Sequence, residues 1–438
     1  MKNFITTLKN IWSIEELRTR ILYTLALLFV FRLGSFVVLP GVIPSVLDTA
    51  SKQKGANDLL GLINSFTGGA FNNAAIFALG IMPYITASII VQLLGFAVPY
   101  FQRLQQKEGE SGRKKLSQIT RLLTVAITLV QGGGYLTYIQ RMGAVDQNIP
   151  TGIFWLAGII ILAAGTVFCM WMGERITDKG VGNGTSLIIA TGILADLPSA
   201  FVFEVQAQFQ TNLLLLVLEL AVMFFVIMAV VLITQGTRKI PIQFAKKMVG
   251  RQAVSAGNRD YIPIKVNAAG VMPIIFAQAL MFLPATAYQF VAGQNSGGTL
   301  LQELNDYTSM THNVIFFLLI VIFTYVYTAL IVNPQQYSEY LRRQNAFIPG
   351  VKPGKSTEDF IDAVTTRITL PGSIILGLIA ILPSVAAAMG VNQAFSRFFG
   401  GSSILIFVAV LLDTLQQIES YLLMRKYDGL VKDGRIKG

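Results

Sequence analysis

The chain has 438 residues, of which 53% are hydrophobic and only 13% charged, with 34 Lys and Arg against 23 Asp and Glu for a net charge of +11. Soluble domains carry about 25% charged residues, so globular folding would leave this chain with too few charges to cover its surface. Apolar runs at 21–31, 152–172 and 313–332 approach or reach the ~20 residues of a bilayer-spanning helix. A single cysteine, Cys169, excludes intrachain disulfides and cysteine metal clusters, and the single histidine, His312, reads as an interfacial polar residue, not a metal ligand or catalytic base.

In chain order, residues 1–20 form a cytoplasmic amphipathic segment. Phe4, Ile5, Leu8, Ile11 and Trp12 recur at helical spacing among Lys2 and Lys9, as suits a helix lying on a membrane surface. The apolar run that follows passes through Arg32 to Leu39 without a small-residue cleavage pattern, so it reads as a retained span and not a signal peptide. Ser13, three residues before Glu16, reads as a capping box that opens this span. Ten spans are expected, at about 21–39, 74–100, 119–139, 152–172, 185–203, 212–235, 267–290, 312–332, 369–389 and 402–424. The fifth is the weakest, because Asp196 and Pro198 interrupt it.

Charge fixes the orientation. Lys and Arg number four in 1–20, six in 101–121, two in 174–184, seven in 237–265, five in 333–368 and five in the basic tail 425–438, and all these segments fall on one side of a ten-span chain. Opposite them lie only Lys52, Lys54, Arg141 and Arg397. The positive-inside rule therefore puts both termini in the cytoplasm, and the same rule explains the basic balance without a nucleic-acid partner.

The segment 59–71 between the first two spans is apolar yet too short to cross. It reads either as an external interfacial helix or as a re-entrant helix lying in a cavity, where non-spanning backbone is tolerated at membrane depth. Two internal echoes follow. Gly80-Ile81-Met82-Pro83-Tyr84-Ile85 in the second span resembles Gly270-Val271-Met272-Pro273-Ile274-Ile275 in the seventh. Gly184-Thr185-Ser186-Leu187-Ile188-Ile189 in the fifth resembles Gly401-Ser402-Ser403-Ile404-Leu405-Ile406 in the tenth. Such motifs arise by chance in membrane helices, but these two pairs occupy corresponding positions of two five-span halves, 21–203 and 212–424. An odd number of spans per half inverts one half relative to the other, with function near the midplane between them.

That symmetry singles out Ile85, Ile275, Ile189 and Ile406, with Ile81 and Ile193 one turn from Ile85 and Ile189. A ring of branched aliphatics is a hydrophobic constriction that seals against water and ions yet binds nothing specifically. Ordinary helix packing accounts for any one of these isoleucines. Ionisable groups inside the spans are few (Arg32, Glu219 and Asp413, with Glu419 near an end) and show no common spacing. Thr86, Ser88, Gln92 and Gln278 offer a weak polar seam between the second and seventh spans, or plain interhelical hydrogen bonding.

Two cytoplasmic loops, 237–266 and 333–368, exceed what a connection needs. Lys239–Phe244 and Tyr261–Val266 each alternate around a proline, as two strands of a hairpin would with the prolines off the pairing edge. Ser356, three residues before Asp359, reads as a helix cap. The basic residues Arg238, Lys246, Lys247, Arg251, Arg342, Arg343 and Lys352 make the loops a docking surface for a large acidic or RNA-rich partner, or else a solvated face. Gly350–Ser356 is one residue short of a phosphate-binding loop and follows no strand. No nucleotide site or other cofactor is expected, and the chain does not read as an enzyme.

The glycine-proline motif at 80–85, together with Gly182-Asn183-Gly184-Thr185-Ser186 and Phe347-Ile348-Pro349-Gly350-Val351-Lys352-Pro353-Gly354, resembles the SecY family of bacterial protein-translocase channels over essentially the whole chain. The resemblance implies an all-α polytopic fold: ten transmembrane helices in two inverted halves around an hourglass pore. Ile81, Ile85, Ile189, Ile193, Ile275 and Ile406 would be its ring. The segment 59–71, with Leu60, Gly61, Leu62, Ile63, Phe66, Gly68 and Gly69, would be a plug. The clefts between spans two and three and spans seven and eight would be a lateral gate toward lipid. Implied partners are SecE, SecG, the SecA motor ATPase, the ribosome, signal-sequence-bearing polypeptides and membrane lipids. The implied location is the plasma (inner) membrane. Lys352 stands where the family commonly has arginine, which keeps the charge but loses the planar fork. The alternative reading is an inverted-repeat secondary transporter for a small solute, which would need coupling groups such as Glu219 or Asp413.

Overall fold

The computed structural model describes residues 11–44, 46–47, 64–106, 109–146, 148–211, 213–244, 248–249, 252–253, 259–291, 303–304 and 306–432. Seven helices within it are long and apolar enough to cross a bilayer: Gly109–Arg141, Thr151–Lys179, Gly184–Thr211, Leu213–Gln235, Met310–Ile331, Lys355–Ala388 and Gly401–Lys432. They coincide with the predicted spans three to six and eight to ten. The other three predicted spans coincide with shorter or more polar helices, Glu15–Gly34, Met82–Ala97 and Met272–Val291. The Met82–Ala97 helix has 16 residues, about 24 Å at 1.5 Å per residue, which is less than a ~30 Å hydrocarbon core.

Several boundaries differ from the sequence reading for identifiable reasons. The first helix begins at Glu15 with Ile14 at its N-cap and no side-chain cap, because residues 11–13 already belong to a preceding helical turn. Ser13 is therefore not its cap. Ser356 does not cap the ninth helix either; that helix starts at Lys355 behind Gly354, whose φ of 102° suits only glycine. The second span, expected from 74, is a run of turns until helix starts at Met82. The fifth continues unbroken past Asp196 and through Pro198 to Thr211, as membrane helices allow when neighbouring groups absorb the lost hydrogen bond. His312, near the start of the eighth-span helix, is buried; its Nδ1 lies 2.8 Å from the Leu304 carbonyl and its ring packs on Phe316. Residues 1–10, which hold most of the predicted surface helix, lie outside the described residues.

The first echo of the internal repeat becomes the same local structure twice, and the second shares only a helix start. Gly80 and Gly270 have φ of 53° and 63°, a helix starts two residues later at Met82 and Met272, and proline occupies the second helical position, where its missing N–H has no partner to lose. Gly184 and Gly401 each stand at the first residue of a helix.

The two long loops join. The strand Thr237–Phe244 pairs antiparallel with Arg259–Lys265, as the alternation predicts, and its end also pairs with Ala346–Phe347 from the second loop. Lys239 faces Pro263 and Pro241 faces Tyr261, so both prolines fall in one class of alternating pair, the class that a chain lacking those N–H donors must leave unbonded. Ile240, Ile242, Ile264, Leu341, Ala346, Ile348 and Ile361 bury a small core beneath this sheet, separate from the membrane core. Ile361 belongs to the ninth helix, which runs from this platform to Ala388 and contributes Leu376, Ile379 and Ala380 to the membrane core.

Candidate functional site

All six predicted ring isoleucines lie in one buried apolar cluster, each no more than 6% exposed. Helix starts bring them there. Ile81 and Ile85 open the second-span helix, Ile275 sits in the first turn of the seventh, and Ile189 and Ile406 each lie five residues past a starting glycine. Ile85, Ile189 and Ile275 line one cavity of about 210 Å³ together with Ser88 and Gln92. Ile81 turns elsewhere and packs its Cδ1 beside Gly173 of the fourth span. Burial of each isoleucine stabilises by about 1.5–3 kcal/mol relative to contact with water, with no polar atom to fix a direction.

The segment before the second span is built differently. Leu60, Gly61, Leu62 and Ile63 lie outside the described residues; Phe66, Gly68 and Gly69 lie inside. Residues 64–66 form one helical turn and turns follow to 81. The segment is knitted to itself: the Gly69 N–H donates to the Asn64 carbonyl at 2.9 Å and the Asn72 N–H to the Asn64 side-chain oxygen at 2.9 Å. From the third span, Tyr135 donates its hydroxyl to the Phe71 carbonyl at 2.6 Å. Phe66 is buried within the same cluster as the six isoleucines. Gly68 and Gly192 meet backbone to backbone: a Cβ on Gly68 would stand 3.1 Å from Gly192 Cα, and one on Gly192 would strike the Phe66 carbonyl group. The segment thus rests on the fifth span at the residue preceding Ile193.

The four seam residues separate. Ser88 and Gln92 bond to each other within their helix at 3.3 Å, and Thr86 bonds back to the Met82 carbonyl at 3.1 Å. Gln278 lines a second, smaller cavity with Tyr307, His312, Arg397 and Ser403. The seventh helix nonetheless packs on both the second and the third. The intramembrane ionisable groups lie in three different surroundings. Arg32 reaches Gly68, Glu219 borders an apolar cavity lined by Leu218, Val222 and Val385, and Asp413 borders a polar cavity that also holds Lys265 and Asn267. Among the described residues no group of three His, Cys, Asp or Glu is placed to hold a metal ion.

On the platform, Arg238, Arg342, Arg343 and Lys352 are exposed on the elements that the sheet joins; Lys246, Lys247 and Arg251 lie outside the described residues. Sequence reasoning missed Gly192, Ser65 and Tyr135, whose partners lie far along the chain; a glycine next to a ring isoleucine was the one local signal.

A family profile described as SecY matches residues 75–415. The protein translocase subunit SecY of Chlamydia trachomatis serovar D is 38% identical, with 99% of this chain and 100% of that protein covered. A solved SecY structure, whose plug domain stabilises the closed state of the translocation channel and maintains a membrane seal, superposes with a TM-score of 0.64 at 17% identity over 92% of each chain. Sec61 in a canine ribosome-channel complex from the endoplasmic reticulum gives 0.59 at 14% identity over 92% of each. The fold is that of these channels, an all-α polytopic membrane architecture, and the chain belongs to the SecY family.

Proposed function

We propose that this chain is the passive protein-conducting channel of a bacterial translocase, which passes unfolded secretory polypeptides between its two halves and releases apolar segments sideways into lipid. Family membership carries the channel function. The observation that supports this pathway is the convergence of isoleucines from the second, fifth, seventh and tenth spans in one apolar cluster, with a cavity bordered by three of them. A polypeptide of any composition slides through such a ring because the ring offers it no hydrogen bond to break. The ten crossings form two inverted halves, 21–203 and 212–424; the segment 59–71 is the plug; the seam between the second and third and the seventh and eighth spans is the lateral gate.

Energy comes from outside the chain, from a SecA motor or a ribosome docked on the basic platform, with SecE and SecG completing the complex in the plasma membrane and both termini cytoplasmic. The canine Sec61–ribosome complex supports the ribosome as one of these partners. The continuous ninth helix, shared by the platform core and the membrane core, gives docking a rigid connection to the second half. Reconstituted into vesicles with the small subunits, the motor and ATP, the chain is expected to yield protease-protected secretory polypeptide. Absence of protected polypeptide with all components active would count against the reading.

A further inference from the structure

An arginine at membrane depth needs a partner and marks function by default. The Arg32 guanidinium, on the first span, donates through Nη1 to the backbone carbonyl of Gly68, 36 residues away, and also lies 4.7 Å from the centre of the Phe36 ring. On the fifth span, Asp196 shares a hydrogen bond with Ser65 and stands in the field of both Arg32 and Arg397. Asp196 also faces the same segment at Gly69, where a Cβ would lie 3.9 Å from its Oδ1. Between these two contacts the backbone of Phe66 and Gly68 sits directly on Gly192. Residues 65–69 are therefore gripped from two spans by opposite charges and from one by bare backbone.

The geometry points to Arg32 and Asp196 as a latch: positioning residues that hold the 65–69 segment against the fifth span in the closed channel. This inference rests on reading that segment as the plug. Hydrogen bonds to charged groups are short and directional, so they hold at one geometry and are lost together once the first and fifth spans shift apart. The apolar ring behaves otherwise, because its contacts survive sliding. Water that enters with an opening pore would replace the latch bonds at little net cost, which makes release reversible.

The test uses the full-length channel reconstituted with its small subunits, and reads resting ion conductance across a planar bilayer. Arg32→Gln is introduced into the intact chain and into a chain lacking 60–69. In the intact chain, loss of a charge-assisted bond from the closed state is expected to raise resting conductance about tenfold. In the deleted chain, already leaky, it is expected to add nothing. Asp196→Asn and Ser65→Ala should move conductance the same way by less, and they carry the test if Arg32→Gln fails to accumulate. A tight Arg32→Gln channel beside a leaky deletion would overturn the latch and leave the plug reading standing. An equal rise in both backgrounds would place the role of Arg32 elsewhere. A deletion that leaks no more than the intact chain would overturn the plug reading and the latch with it.

Discussion

The predicted ring and the segment before the second span are held by opposite means, although Phe66 and Ala70 of that segment share the isoleucines' apolar cluster. Six isoleucines come together through burial alone, with neither direction nor polar anchor. Residues 64–72 are fixed by hydrogen bonds to Asn64 and from Tyr135 and Arg32, and by backbone contact at Gly192. Nondirectional contacts yield to a passing chain and re-form around it, whereas directional ones define one resting position and let go as a set. A channel that must seal around varied substrates and also close fully needs both kinds.

The largest effect is expected at the ring. Replacing four of the six isoleucines by glycine removes about 2–5 kcal/mol of packing at each site and is expected to give the largest resting ion leak of any change considered. Unchanged conductance would take the sealing role away from the ring. Gly192→Val is next. Its side chain meets the Phe66 backbone, and overpacking of this kind costs about 1–3 kcal/mol, so the channel should leak while every isoleucine remains. A sealed Gly192→Val channel would show that the segment tolerates displacement. Tyr135→Phe should have the smallest effect, about 0.5–1.5 kcal/mol for one hydrogen bond, read as a slight rise in conductance or a small loss of thermal stability. A leak as large as that of the ring variant would mean that polar contacts, not isoleucines, make the seal.

The two long loops offer a contrast of their own, since their basic residues are proposed to act on a docked partner. Arg251→Glu with Lys352→Glu is expected to slow export at limiting motor or ribosome concentration, more so at low salt, while leaving insertion of the channel and its resting conductance unchanged. Normal export under those conditions would move docking off these two residues.

What was legible in the sequence was local. A glycine followed by proline at a helix start announces itself twice, at 80–83 and 270–273, and led to Ile85 and Ile275, while the glycines at 184 and 401 led to Ile189 and Ile406. The hairpin showed in alternation, but its third strand did not, because Ala346–Phe347 is too short to carry a period. Cap signals at Ser13 and Ser356 misled, since Ile14 and Gly354 take those positions through the backbone that precedes them. Helices also run beyond the apolar stretches, as at 355–368, where a span detected by hydropathy continues into the platform. Hydropathy counts residues that leave water, so it sees neither that extension nor the 36-residue reach from Arg32 to Gly68.

The path of the substrate is tested by a photocrosslinker at Ile189, with a secretory polypeptide arrested during export. A strong adduct is expected, whose position along the substrate shifts as the arrest point shifts. No adduct at Ile189, with crosslinks instead from exposed apolar residues such as Leu214 or Phe224, would place the pore elsewhere.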